Sequence, residues 1–226
     1  TCVPMLLDET GLINERFNCD FAPAEAMDAL WAAGWRHFGQ HFFRYNFGIH
    51  AGRVMRVLPL RIDLARFTFS KSQRRNLRRN NAFDITIGQL GVTEESRSLF
   101  ERHRLRFAEG RPERIEDFIP ATAAASPCET LQLSVRETGR LVAESYFDLG
   151  ERSASSVFAM FDPAITAAGL GIFTLLKEIE HSLDHGLEHF YLGYAYDGES
   201  FYDYKKRFRA TEYFDWKGNW REFRND

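Results

Sequence analysis

The sequence predicts a mixed α/β domain, on three observations. Residues Ser156 to Tyr194 read as strand, glycine loop, amphipathic helix and strand in direct succession. Strand-like and helix-like stretches are interspersed along the chain, the order expected of helices packed on a sheet. Within Gly169 to His185, the residues Leu170, Phe173, Leu176, Ile179 and Leu183 recur at three- and four-residue steps, the period of a helix laid on a core.

The elements follow from local signals. Pro23 to Ala33 is a helix, with Pro in its first turn and Gly34 at its stop. Trp35 to Tyr45 is aromatic-rich and reads as one strand. Phe47 to Arg56, with two glycines, reads as a loop. Val57 to Leu64 is a strand that Pro59 places at an edge or a start. An arginine-rich helix covers Lys71 to Asn81, capped by Ser70 or Ser72 and ended by Asn80 and Asn81. Ala82 to Ile87 is a strand. Thr93 caps a helix to Ala108, but Ser96 stands where a full capping box carries Glu. Residues 111–127, rich in charge, Ala and Pro, mark the boundary between an N-terminal α/β portion, 1–115, and a C-terminal portion, 116–226, packed as one unit. Thr130 to Val135 and Leu141 to Leu149 form a hairpin around Glu137 to Arg140. Ser156 to Phe161 is the next strand. In the helix from Gly169, the residues Lys177, Glu178, Glu180, His181 and Asp184 fill the outer face, and Gly186 ends it. His189 to Tyr194 is a strand, Ser200 to Phe208 a short helix or turn, and a last strand follows Thr211.

A chain of 226 residues is long enough for a sizeable core. A formal net charge of −3 excludes a globally basic nucleic-acid binder. The charge is unevenly placed, however. Arg66 to Arg79 holds six basic residues and no acidic one, a local basic patch. Cys2, Cys19 and Cys128 are far apart and odd in number, so neither a disulfide framework nor a paired-thiol metal site is expected. A cytoplasmic setting is the simplest expectation. No apolar run approaches the roughly 18 residues of a membrane span, and the first residues lack a signal-peptide pattern.

Four stretches carry candidate chemistry. In the arginine helix, Lys71, Arg75 and Arg79 are four apart, as are Arg74 and Arg78, so both rows share a face. Like charges at that spacing repel, and a polyanion relieves the repulsion; Asn76 and Asn80 add donors suited to phosphate or sugar. A solvated face paired with carboxylates elsewhere is the bland alternative. Gly169 and Gly171 open a helix after a strand, where exposed amides favour anions, although tight turning alone accounts for such glycines. Tyr191, Tyr194 and Tyr196, then Tyr202 and Tyr204, are core residues or the wall of a cleft; Lys205, Lys206, Arg207 and Arg209 follow as a cluster able to pair a carboxylate or phosphate, or as an ordinary solvated turn. His181, His185 and His189 are spaced like metal ligands, but they lie off the apolar face and Gly186 interrupts them, so no metal is expected.

In order along the chain, these stretches resemble the arginyl-tRNA–protein transferase family, including its bacterial aspartate/glutamate leucyltransferase branch. The resemblance is carried by Gly34-Trp35-Arg36 through Phe43-Arg44, by Pro59 to Asp63 with Phe67, and by Ser70 through Arg75 to Arg78-Arg79-Asn80. It continues in Ser156 to Phe158 through Asp162-Pro163, in Gly169-Leu170-Gly171, in Tyr191 to Tyr194, and in Tyr204-Lys205, Phe208-Arg209 and Glu212. The chain departs from the family in three places. Asn46 to Arg56 contains no cysteine where the family has a cluster. Tyr202 stands where the family tends to have Met, and Ala210 where it tends to have Pro.

The resemblance implies an acetyltransferase-superfamily-like (GNAT-like) C-terminal fold with an N-terminal α/β extension. It implies aminoacyl-tRNA as the donor substrate, no cofactor, and the N-terminal α-amine of a protein, with Asp or Glu first, as acceptor. Arg or Leu is the group transferred. Lys71, Arg74, Arg75, Arg78, Arg79 and Asn80 are then the tRNA contacts. Asp162 is the candidate base and Tyr194 the candidate oxyanion donor. Gly169, Gly171, Tyr191, Tyr204, Lys205, Lys206 and Arg209 are the candidate substrate contacts. Two rivals remain at this point: an acyl-CoA N-acyltransferase binding CoA at Gly169 to Gly171, and a non-catalytic RNA-binding relative.

Overall fold

The computed structural model describes residues 11–107, 112–165 and 169–223 of the chain. Two sheets organise it. A small antiparallel sheet has the order β1 (Asn14–Asn18), β3 (His41–Tyr45), β2 (Arg36–Phe38). The large sheet runs β12 (Trp220–Glu222), β11 (Thr211–Phe214), β5 (Arg53–Asp63), β10 (His189–Tyr196), β9 (Ser153–Phe161), β8 (Arg140–Leu149), β7 (Thr130–Glu137), β6 (Asp84–Gln89), with β4 (Phe47–His50) paired to β5. It draws β4, β5 and β6 from before residue 116 and the other strands from after it. The helices are α1 (Ala24–Ala32), α2 (Lys71–Arg79), α3 (Glu94–Arg104) and α4 (Leu170–Asp184).

Local chemistry explains most boundaries. The β7–β8 hairpin turns at Thr138 and Gly139, with φ of 47° and 86°, the paired positive values of a primed turn that matches strand twist. In α2 the Ser70 hydroxyl accepts from the Gln73 amide while the Gln73 side chain accepts from the Ser70 amide. This capping box offsets part of the repulsion among the arginines. The α3 start corrects the expectation from the sequence: Ser96 completes the box with Thr93 in place of Glu. Three further expectations fail. Pro59 lies within β5, an interior strand between β11 and β10, and not at an edge or a start. Trp35 to Tyr45 is a tight hairpin of β2 and β3, not one strand. Phe47 to Arg56 is the β4–β5 hairpin, turning at Ala51 and Gly52 with φ of 48° and 71°; an Ala in that conformation hides the usual turn signature. Ala210 has φ of 55°, which Pro cannot adopt, so this corner differs from the family pattern.

The main core lies between α4 and the large sheet and includes Leu60, Ile62, Phe147, Phe173, Leu176, Ile179 and Phe190. Each such side chain contributes about 1.5–3 kcal/mol relative to exposure. A second cluster, with Leu99, Phe100, Tyr146 and Met160, seats α3 on the same sheet. The small sheet and α1 cover β10 through Met27, Trp31, Phe42 and Tyr191. No described helix is long and apolar enough to cross a membrane.

Candidate active site

The strand pair that places the site is β9 and β10. They run parallel, but only His189–Ser153, Phe190–Ala154 and Tyr191–Ser155 are paired. Beyond Ser155, β9 stays with β8 and β10 stays with β5. The sheet therefore opens into a V between Ser156 and Gly193. Gly193 sits after a register shift in β10 and has φ of 83°, a conformation that L side chains rarely adopt.

Two cations converge on that opening. Arg36, from β2, donates to the Ser155 hydroxyl and to the Ser156 carbonyl, which the divergence of the strands exposes. Lys205 donates to the Tyr194 carbonyl at 3.2 Å. A side chain at Gly193 would begin 3.3 Å from Lys205 Nζ and 3.4 Å from an Arg36 nitrogen. Among the described residues neither cation has a carboxylate within ion-pair distance. Lys205 as a whole is partly exposed, but its ammonium end is enclosed. Burial, followed by the Arg36 charge, lowers its pKa to about 7. Burial also lowers Arg36, against the influence of Tyr194 and Asp148.

On the α4 side of the V lies a buried carboxylate. The sequence places Glu178 on the outer face of its helix; the structure buries it completely. The reason is that α4 buries more than one face. Thr174, Glu178 and Ser182, four apart, are all fully buried, and this row of small and polar residues is the signal that periodicity of Leu and Phe misses. Arg36 was legible only as part of a motif, with nothing in its neighbours to mark it as a site residue.

The other expected residues divide. Tyr204 packs near Glu178, and burial together with Tyr202 and Glu178 raises it to about 12. Asp162 does not serve as a free base. Its carboxylate accepts from Arg140 at 2.6 Å, pairs with Arg102 at 3.3 Å and accepts from the Ala164 amide at 3.0 Å. Two guanidiniums and an amide occupy its oxygens, so Asp162 is an anchor for the turn after β9. Tyr194 is also committed: its hydroxyl donates to the Gly34 carbonyl at 2.7 Å, and burial raises its pKa. It holds the entry to β2, hence Arg36. Tyr191 lies at the closed end of the strand pair, against Trp31 and Trp220. Lys206 is tied to the Gly198 carbonyl and Asp203, and Arg209 to Thr68.

The basic helix and the glycine loop meet. Gly169 precedes α4 with φ of 61°, and its carbonyl accepts from Asn76 of α2 at 3.3 Å. A side chain there would start 2.9 Å from the Asn76 amide, and one at Gly171 would start 3.0 Å from the Phe161 ring. The glycines allow this close packing. Thr166, where acyl-CoA binders have Arg or Gln, lies outside the described residues. On α2, Lys71, Arg75 and Arg78 are exposed and pair with no described carboxylate; Arg74 and Arg79 are exposed beside them, Arg74 donating to the Phe69 carbonyl, while Asn80 is buried as the helix cap.

Two other polar groupings are closed. A cavity of about 480 Å³ at the paired end of β9 and β10 is lined by Asp28, Arg61, Arg152, Glu188, His189 and Tyr191. Most of its charged groups are engaged: Arg61 pairs with Glu212, Arg152 with Glu188, and Asp28 accepts from the Glu151 and Arg152 amides and the Ser153 hydroxyl. His37, Cys128 and Asp148 converge within 4.8 Å. The His37 ring faces the Gly39 carbonyl and Asp148, each at 2.8 Å, and Thr130 donates to Asp148 at 2.6 Å. This network pins β2, and so Arg36, to β8.

Known proteins resemble the chain in sequence and in fold. The family model described as arginine-tRNA-protein transferase, C terminus, matches residues 95–215. An aspartate/glutamate leucyltransferase of Stenotrophomonas maltophilia strain K279a is 30% identical over 201 residues, covering 85% of this chain and 78% of that one. One of the same description from Pseudoalteromonas atlantica is 28% identical over 223 residues, covering 89% of this chain and 93% of that one. Among solved structures, L-PGS from Bacillus licheniformis matches with a TM-score of 0.51 at 16% identity, over 82% of this chain and 55% of that one. That likeness speaks for the fold alone. It agrees with a mixed fold in which the antiparallel strands β7 to β9 lead through α4 to a diverging parallel pair, β9 and β10.

Proposed function

The chain belongs to the arginine-tRNA-protein transferase family and is an aminoacyltransferase, and from that premise we propose that it moves leucine from tRNA to the N-terminal α-amine of proteins that begin with Asp or Glu. The names of the relatives support leucine and the acidic acceptor; the arginyl donor remains the alternative to be assayed beside it.

One observation carries the reading: two enclosed cations, Arg36 and Lys205, meet at the V with no carboxylate of their own among the described residues. Like charges brought together in a low-dielectric site repel, and an incoming carboxylate converts that repulsion into charge-assisted hydrogen bonds. An acceptor beginning with Asp or Glu supplies that group. Its α-amine then lies near the opening, where the aminoacyl ester is presented. The ester is already activated, so orientation of amine against carbonyl supplies much of the rate. The exposed arginines of α2, next to the start of α4, support a path for tRNA phosphates. Asn76 packed on Gly169 supports tRNA over CoA, because α2 covers the loop that a pyrophosphate would need. The exposed rings of Phe201 and Tyr202, with Tyr202 close to Tyr196, are suited to stacking against unpaired bases.

The test is a transfer assay with labelled leucyl- and arginyl-tRNA against peptides beginning Asp, Glu, Asn and Ala. Leucine transfer confined to Asp and Glu peptides is expected. Transfer with no pairing defeats the reading.

A further inference from the structure

Glu178 is used by nothing in the reading above. It is fully buried, and neither carboxylate oxygen has a hydrogen-bonded partner. The side chains around it come from every element packed on it. Ser145 and Asp148 lie on β8, Ser156 on β9, and Tyr204 on the turn after β10. The Ser145 hydroxyl is itself without a partner. The Ser145 and Ser156 hydroxyls are near enough to favour the charged form, though short of well-formed hydrogen bonds; burial and the Asp148 charge oppose them, and the carboxyl rises to about 8. An unpaired buried carboxyl is costly, and an apolar side chain of similar size would be cheaper.

Its position is also specific. Ser156 is the first residue of β9 beyond its pairing with β10, and it is partly exposed. Ser156 therefore stands between the open V and the enclosed Glu178. Its carbonyl is held by Arg36, which fixes the backbone that carries the hydroxyl.

We infer that Ser156 and Glu178 form a proton relay that accepts the proton of the acceptor's α-ammonium. The inference rests on the aminoacyl-transfer reading. The ammonium gives a proton to Ser156 Oγ, which passes its own hydrogen to a Glu178 oxygen. The freed nitrogen lone pair forms the N–C bond to the ester carbonyl. The C–O bond to the tRNA ribose breaks with its electron pair on the ribose oxygen, which takes the second proton of the attacking nitrogen. Glu178 then returns its proton through Ser156 to solvent. Free α-amines ionise near ~7.7–8.0, so a carboxyl in the same range exchanges a proton with one at little cost. Glu178 touches no substrate; it acts through Ser156.

The test uses the full chain, leucyl-tRNA and an Asp-first peptide, with kcat and KM followed from pH 6 to 9.5. Wild type is expected to reach its kcat plateau below about pH 8, because the bound ammonium favours the charged form of Glu178. E178Q should lose about 10²-fold in kcat on that plateau, keep KM within about twofold, and gain rate with pH only as the α-amine itself ionises, near ~7.7–8.0 or above. S156A should fall likewise, and E178D should recover part of the loss. E178Q matching wild type in kcat and pH profile overturns the relay, as does a loss confined to arginyl-tRNA, which would make Glu178 a reader of guanidinium. A wild-type chain inert with every donor and acceptor overturns the transfer reading, and the relay with it.

Discussion

Replacing Glu178 with Gln should stabilise the protein, increasingly so as pH rises. A carboxyl ordinarily near 4.5 that burial raises to about 8 carries up to about 5 kcal/mol of penalty for its charged form; relaxation and water entry reduce this to several kcal/mol. The folded state keeps a proton that the unfolded chain has released between pH 4.5 and about 8. Wild-type stability from this group is therefore complete below about pH 4.5, falls by up to ~1.4 kcal/mol per pH unit across the window, and levels off above about 8. The amide of E178Q has no charge to lose. Lys205 acts with opposite sign, since its folded pKa of about 7 lies below the ordinary 10.5, but it is common to both proteins and cancels in their difference. Urea unfolding of wild type and E178Q between pH 5 and 8.5 reads that difference. It should grow from near zero to several kcal/mol. A difference that does not change with pH, or a variant less stable than wild type at pH 8, refutes the claim that this carboxyl is buried without a partner.

Four other outcomes are expected. R75A combined with R78A should weaken tRNA binding and make its salt dependence shallower, by about one unit of slope for each phosphate left unneutralised, while changing stability by no more than about 0.5 kcal/mol; filter binding across a salt series and thermal melts check both. Gly193→Ala should cost about 1–2 kcal/mol from its left-handed backbone and reduce transfer by displacing Lys205 and Arg36, seen as a lower Tm and a lower kcat/KM. His37→Ala removes a hydrogen-bond partner of the buried Asp148 carboxylate and should cost about 1–3 kcal/mol in denaturant titrations. Calorimetry of acceptor-peptide binding at pH 7.5, in buffers of different ionisation heat, should show more proton release for Lys205→Met than for wild type, and more proton uptake for Glu178→Gln.

The scaffold was legible where the sequence pattern is local. The helix from Leu170, the β7–β8 hairpin and the arginine helix all declare themselves through period, turn residues and caps. Asp162 misled because a carboxylate next to a strand end looks available until Arg102 and Arg140, distant in sequence, are placed against it. Tyr194 misled for the same reason, its partner Gly34 being 160 positions away in the chain. Glu178 was misplaced because an amphipathic reading allows a helix one buried face, and α4 has more. The V itself is a property of pairing: it exists because β9 follows β8 while β10 follows β5, and no single stretch encodes that.

The charges of the site make sense when its empty and occupied states are compared. Near pH 7.5, between the two values, the neutral forms of Lys205 and Glu178 are favoured in the empty site. The empty V thus avoids holding two unpaired charges in a low dielectric, where each would cost several kcal/mol. An acceptor with an acidic first residue is a zwitterion. Its carboxylate favours the charged form of Lys205, and its ammonium favours the charged form of Glu178. Each charge is created only when its counterpart arrives. On that reading, a peptide beginning with a neutral residue supplies the ammonium but not the carboxylate, and so leaves Lys205 neutral and Arg36 without an anion. A free dicarboxylate supplies the reverse and leaves Glu178 protonated, unable to accept. On the proposed reading, discrimination between acceptors comes from the cost of leaving one half of the site unmatched. On that reading the tRNA need contribute no charge to this exchange beyond presenting the ester.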